Sequence, residues 1–266
     1  MVIPHATPIA PVPSAWSDRQ RLAWLLALGP LLWLQGRYVR LRTPRLPEPP
    51  GARSGVHGSG PALHVLIAGD SAAAGVGAHS QEEALSGQLV QHLARRHTVH
   101  WQLHALTGEE SPGLLRRLRE LPAQPFDVVV LSMGVNDVTA LRAPRRWLEL
   151  QHSIAALVGE RFRPRLLVHC AVPPMHVFSA LPQPLRWFMG RWAQAFNAQL
   201  RAALHQHPWR VHHMLPAQER EAVAGESLAS DGFHPGPHAY AQWGQALAQQ
   251  VLAKTQDRPH PMQEMP

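Results

Sequence analysis

Five short apolar runs, set apart by stretches of helical periodicity, constrain this chain more than any other feature. "HVLIAG" (64–69), "HTVHWQLHAL" (97–106), "FDVVVLSMG" (126–134), "PRLLVHCAV" (164–172) and "WRVHHML" (209–215) read as strands. Residues 80–96, 111–121, 144–162 and 183–207 carry apolar side chains at helical spacing, and 236–254 supplies a last helix. The first of these opens on Ser80 and Glu83 at the spacing of a capping box; the second opens on Ser111 as cap with Pro112 at the first helical position. Parallel strands need crossover connections, so the alternation predicts an α/β fold: a three-layer α/β/α sandwich around a five-stranded parallel sheet. Ligands of such sheets sit beyond the C-terminal ends of the strands, and residues there have first claim on chemistry.

The sheet-forming part is expected to run from 61 to 255. Residues 1–18, rich in proline and without periodicity, read as an unstructured leader, 43–60 as a Pro/Gly linker and 256–266 as a flexible tail. Between leader and linker, residues 19–42 hold "LAWLLALGPLLWL" (22–34), thirteen residues with no polar side chain, followed by Arg37, Arg40, Arg42 and Arg45. As a helix this run is about 20 Å long, short of the roughly 30 Å of a bilayer's hydrocarbon. It suits a membrane-interface anchor with Trp24 and Trp33 at headgroup depth, making residues 19–45 the expected site of peripheral membrane contact. A helix packed on the main domain and an export signal are the other readings; the second lacks a small-residue cleavage site. The arginine excess on the C-terminal side argues for a cytoplasmic main domain at the membrane face, with an exported or membrane-anchored protein as the alternative.

The net charge of +7 comes from 24 arginines and the single Lys254 set against 18 acidic residues. The arginines are spread along the chain and no nucleic-acid-binding signature accompanies them, so no nucleic-acid partner is expected. Cys170, alone of its kind, reads as a buried strand residue. Eighteen histidines raise the question of a metal, but His212 and His213 lack ligand spacing with carboxylates or cysteines and no H-E-x-x-H occurs. Neither metal nor other cofactor is expected.

Four groups of residues stand at the predicted strand ends: Asp70 and Ser71; Thr107 and Gly108; "GVND" (134–137); and, before the last helix, "SDGFHPG" (230–236). Acyl transfer needs a hydroxyl, a base to take its proton, a carboxylate to hold the base's tautomer, and donors for the oxyanion. Ser71, His234 and Asp231 can fill the first three roles. The main-chain N–H groups of Ser71 and Gly108 and the side-chain amide of Asn136 can fill the last. Asp137 reads as a structural turn former. Pro173–Pro184 is too irregular for a regular element and leaves the same rim, so Met175 and Phe178 are expected to wall an acyl chain. The small residues 72–78 after Ser71 are expected to admit substrate.

"GDS" (69–71), Gly108, "GVND" (134–137) and "DGFHP" (231–235), in this order, resemble the four blocks of the SGNH, or GDSL, hydrolases, a family of esterases and lipases. The resemblance covers about residues 61–255. It implies a flavodoxin-like fold, a metal-free Ser-His-Asp mechanism and acyl-ester substrates. By it Ser71, Gly108, Asn136 and His234 carry the four name-giving roles and Asp231 completes the triad. "TGEESPG" (107–113) also holds Gly113 as a second candidate glycine. The chain lacks G-x-S-x-G, the nucleophile motif of the α/β-hydrolases. An acyltransferase or thioesterase on the same triad, or a non-catalytic lipid-surface module, are the readings that stand beside an esterase.

Overall fold

In the computed structural model, residues 18–205, 207–214 and 228–256 are described, and they form one six-stranded sheet with helices on both faces. The expected leader and tail fall, but for residues 18 and 256, outside these ranges. The strands are β1 (Ser54–His57), β2 (Ala62–Gly69), β3 (Thr98–Ala105), β4 (Val128–Ser132), β5 (Leu166–Cys170) and β6 (Arg210–His213). Their order in the sheet is β1-β3-β2-β4-β5-β6. All neighbours are parallel except β1, which pairs antiparallel with the outer edge of β3.

β1 is the sixth strand, and it lies inside the stretch that composition marks as a linker. All four of its residues are exposed, so it has no buried face to impose an alternating pattern; main-chain pairing to β3 holds it in place. The five parallel strands, β2 to β6, fall where their sequences indicate. β4 and β5 are buried along their whole length, as expected where helices cover both faces of a parallel sheet.

The helices are α1 (Asp18–Arg42), α2 (Ser71–Ala74), α3 (Leu85–Leu93), α4 (Ser111–Glu120), α5 (Val135–Thr139), α6 (Pro144–Arg161), α7 (Leu185–Ala203) and α8 (Pro237–Gln256). Val65, Ile67, Val128, Val130, Val168 and Cys170 face α3 and α8. Leu66, Ala68, Val129, Leu131 and Leu167 face α4 and α6, where Leu114, Leu118, Ile154 and Phe162 meet them. Each Val, Leu, Ile or Phe among them, fully buried, contributes ~1.5–3 kcal/mol of transfer free energy. Cys170 sits in the first of these clusters with its thiol pushed up to about 12, first by burial, and so behaves as an apolar side chain. A third cluster joins α7 to α1 and to the segment after β5.

Two helix starts differ from the pattern. The capping box at Ser80 does not form: α3 begins at Leu85, and Glu83 instead accepts from the main chain and pairs with the ring of His79. The cause is Gln81. Its buried side chain donates to the carbonyls of Ala74 and Pro49 and accepts from Ser86, which draws residues 80–84 off the helix axis. In α4 the helix already includes Ser111, whose hydroxyl goes to Asp137 rather than capping its own helix.

The small residues after Ser71 serve packing, which corrects the expectation that they admit substrate. Ala73, Ala74 and Val76 are fully buried, and Gly75 and Gly77 both have left-handed backbone. A Cβ on Gly77 would lie 2.2 Å from the Pro235 carbonyl oxygen, so only glycine lets this loop approach the one that carries His234. Gly77→Ala is expected to lower stability by about 1–3 kcal/mol, from strained backbone plus displaced main chain, read as a lower urea midpoint with unchanged slope.

Candidate active site

β2 ends at Gly69, and a Cβ there would fall 2.1 Å from the Ser132 carbonyl oxygen. That close approach lets Asp70 donate its N–H to the same carbonyl, at 3.1 Å, so the chain turns sharply off the strand into α2. Asp70 caps α2, its Oδ1 accepting from the Ala72 N–H at 3.1 Å, and Ser71 stands at the helix start. Behind it, the Tyr240 hydroxyl donates to the Val76 carbonyl at 2.8 Å and ties the turn to α8.

The second component is the loop before α8. Gly232 has φ +65°, and the Gly232 N–H donates to the Ala229 carbonyl, closing a tight turn that brings Asp231 and His234 together. Asp231 Oδ1 accepts from the N–H groups of Phe233, at 2.9 Å, and His234, at 3.0 Å. Its Oδ2 lies 2.6 Å from His234 Nδ1. Burial opposes ionisation of Asp231, but the bonds from the His234 ring and from the two N–H groups outweigh it, and the carboxyl titrates below its ordinary value. An ionised carboxylate can only accept, so Nδ1 carries a proton and the neutral ring offers Nε2 as a lone pair. His234 Nε2 lies 2.9 Å from Ser71 Oγ. Three residues from two distant parts of the chain thus form one hydrogen-bonded line, in which a base can take the hydroxyl proton.

The third component comes from the ends of β3 and β4. Gly134 has φ +133° and begins α5, which carries Asn136 and Asp137. Of the two amide hydrogens of Asn136, one goes to the Glu109 carbonyl at 3.0 Å. Asn136 therefore bridges to the loop that holds Gly108. Gly108 is exposed, has φ +81°, and has open space where a Cβ would project. Gly113 lies within α4 with its N–H donated to the Glu110 carbonyl at 2.9 Å, whereas Gly108 lies in the exposed loop between β3 and α4. Asn197, the chain's other asparagine, is used in packing: it exchanges two hydrogen bonds with the main chain of Val172.

Met175 and Phe178 are placed otherwise than expected. Met175 is fully buried and Phe178 nearly so, both within the cluster beneath α7, because the Pro173–Pro184 segment folds down onto that helix. Phe178 meets Phe233, the neighbour of His234, at 4.9 Å between ring centres, and neither Met175 nor Phe178 presents a wall to solvent. Open space lies instead beside Gly108, in a depression of about 390 Å³ bounded by Leu106, Thr107, Pro112, Gly113 and Arg116. Among the described residues no group of three or more His, Cys, Asp or Glu side chains could hold a metal ion. His212, pushed down to about 4 by burial and by the charge of Arg201, packs as a neutral ring.

A family model described as "GDSL-like Lipase/Acylhydrolase" matches residues 67–242, about two thirds of the chain. The chain belongs to this family. A GDSL-like esterase of Mycobacterium tuberculosis is 29% identical over 231 residues, covering 79% of this chain and 72% of its own. Among solved structures, a lipase from a goat rumen metagenome superposes with a TM-score of 0.54 at 18% identity, covering 71% of this chain and 97% of its own. A member of the lipolytic G-D-S-L family from Veillonella parvula gives 0.56 at 14%, covering 72% and 98%. At these identities the two structures speak for the fold, an α/β sandwich of the GDSL hydrolases.

Several residues that shape this GDSL site carry no motif. Glu48, in the stretch read as a linker, accepts from both the N–H and the hydroxyl of Thr107, at 2.9 and 2.7 Å, and pairs with Arg53, which donates to the Ala105 carbonyl. The pair clamps the loop that presents Gly108. Asp137 is fully buried and accepts from Ser111 and Arg142, consistent with a structural role. Glu109 pairs with Arg117 and Glu110 with Arg142, which it shares with Asp137, so neither stands as a free carboxylate at the rim.

Asp70 is the exception. Burial pushes its carboxyl up to about 7, the charge of Asp137 adds to the effect, and the N–H groups of Ala72 and Gly134 only partly offset it. A carboxyl raised in the folded state stabilises the fold at low pH, and that contribution is lost as pH rises through the folded value. Between pH 5 and 8 the protein is expected to lose on the order of 2 kcal/mol relative to Asp70→Asn, which can still cap α2. Paired urea titrations at the two pH values measure the difference.

Proposed function

We propose that this protein hydrolyses carboxylic esters, lipid or other acyl esters, through an acyl-enzyme formed on Ser71. The observation that carries this reading is the unbroken line Asp231 Oδ2 to His234 Nδ1, 2.6 Å, and His234 Nε2 to Ser71 Oγ, 2.9 Å. Membership of the GDSL-like family, which includes a relative described as an esterase, supports the reaction class.

In this reading the Ser71 oxygen attacks the ester carbonyl as His234 Nε2 takes its proton. The Asp231 carboxylate stabilises the imidazolium that forms and keeps the proton on Nδ1. The carbonyl oxygen, now negative, meets the N–H groups of Ser71 and Gly108 and the second amide hydrogen of Asn136. The Nε2 proton then passes to the departing alkoxide as the tetrahedral intermediate collapses. Water attacks the acyl-enzyme by the same route in reverse, with His234 again as base, releasing acid and restoring the serine. The depression beside Gly108 gives one side of the ester room. We also place the hydrolase domain on the cytoplasmic side of a membrane, on the strength of the arginines that follow the apolar run of α1.

A fluorophosphonate is expected to label wild type at Ser71 and to leave Ser71→Ala unlabelled, with hydrolysis of nitrophenyl esters lost in that variant. Asn136→Ala is expected to lower kcat by about 10² to 10³. A rate within twofold of wild type would remove Asn136 from the oxyanion site. Labelling at another serine would overturn the proposal as a whole.

A further inference from the structure

The segment 22–34 is apolar around its whole circumference, yet only one side of α1 is covered. Its inner face is fixed to the domain. Leu32 is buried in the α7 cluster, with Leu25, Leu28 and Val39 packed against it. Gln35 exchanges hydrogen bonds with the main chain, donating to the Gln183 carbonyl at 2.7 Å and accepting from the Leu185 N–H at 3.0 Å. The outer face carries Leu22, Leu26, Leu31, Trp33, Leu34, Tyr38 and Leu41, with Leu26 and Leu41 exposed by 75% and 80%. Among the described residues twelve large apolar side chains are exposed, and eight of them are on α1, so the apolar surface is concentrated on one element. Trp24 meets Trp187 of α7 edge-on at 5.2 Å and carries the patch onto the neighbouring helix.

Charge accompanies the patch. Between residues 19 and 47 the sequence has six arginines and no acidic residue. The guanidinium of Arg37 lies 5.3 Å from the ring centre of Trp33 and that of Arg42 5.7 Å from Tyr38, so cations border the apolar face directly. Among the described residues no helix is long and apolar enough to cross a membrane. An apolar helix face bordered by arginines and indole rings matches a lipid surface: side chains in the acyl boundary, rings at headgroup depth, guanidinium groups on anionic phosphates.

We propose that the outer face of α1 lies in the plane of an anionic lipid surface. A groove between the end of α1 (Tyr38, Arg42, Thr43) and Ser179, Ala180 and Pro182 backs onto Asp231, so docking brings that side of the triad to the lipid. The docking itself stands apart from the reaction; only this last consequence rests on the ester-hydrolase reading.

Sedimentation of the full chain with vesicles tests it. Wild type is expected to pellet with vesicles containing phosphatidylglycerol, weakly with pure phosphatidylcholine, and to be released by high salt. The triple variant Arg37→Gln, Arg40→Gln, Arg45→Gln is expected to bind the anionic vesicles about a hundredfold more weakly. Leu26→Glu with Leu41→Glu should bind neither, while circular dichroism and the hydrolysis of a soluble nitrophenyl ester stay at wild-type values. Three results would overturn the proposal: wild type remaining in the supernatant with both vesicles, wild type resisting alkaline carbonate extraction as an inserted helix does, or Leu26→Glu dissociating a dimer in which a second copy covers the face. Loss of soluble-ester hydrolysis in wild type, with vesicle binding intact, would instead count against the reaction alone.

Discussion

The parallel pairing of β2 with β3 on one side and β4 on the other is the constraint on which the site depends. Its register sets Gly69 beside both Ala105 and Ser132, so three strands end at one level. Beyond that level the chain leaves the sheet at Asp70 and Ser71, at Leu106 to Gly108, and at Met133 to Asn136. Two main-chain bonds sew the three exits together: the Leu106 N–H donates to the Gly69 carbonyl and the Asp70 N–H to the Ser132 carbonyl. Ser71, the Gly108 loop and Asn136 then need no long-range adjustment to be neighbours. Only the histidine and its carboxylate come from elsewhere, and glycine at 77 is what lets their loop reach the rim.

Around this rim, burial works against charge and hydrogen bonds decide the balance. Asp231 stays ionised because a ring and two N–H groups face it. Asp137, also buried, is pushed upward by burial even though Ser111 and Arg142 bond to it. Asp70 is pushed up to about 7, first by burial and further by the charge of Asp137, with only main-chain N–H groups to oppose it. Burial is the first cause for all three, and the hydrogen bonds decide only how much of it is offset. Glu109 and Glu110, on the Gly108 loop, each have an arginine partner, Arg117 and Arg142, the second shared with Asp137.

Much of this was legible from residue order. The α/β class and the five parallel strands followed from apolar runs separated by helical periodicity, since burial on two faces leaves such a pattern. Ser71, Gly108, Asn136, Asp231 and His234 could be proposed from residue order because their types, at strand ends and before the last helix, match a chemical need. β1 was not, as an edge strand with no buried face has no pattern to read. Glu48 and Arg53 escaped for a related reason: their partners are main-chain groups and a threonine more than fifty residues away, and no local spacing announces such a contact. The capping box failed because Gln81 found buried partners worth more than a helix start.

Local chemistry, then, was written into the chain itself: which stretches alternate, which segment is apolar throughout, which residues can act as acid, base or donor. Tertiary structure alone decided which of those groups meet. It folded Met175 and Phe178 into the core, gave the small residues after Ser71 to packing, and left one face of α1 bare while covering the other. Periodicity records how each residue relates to its own element, whereas contact between elements depends on the shapes that close packing leaves, and those exist only once the whole chain is folded.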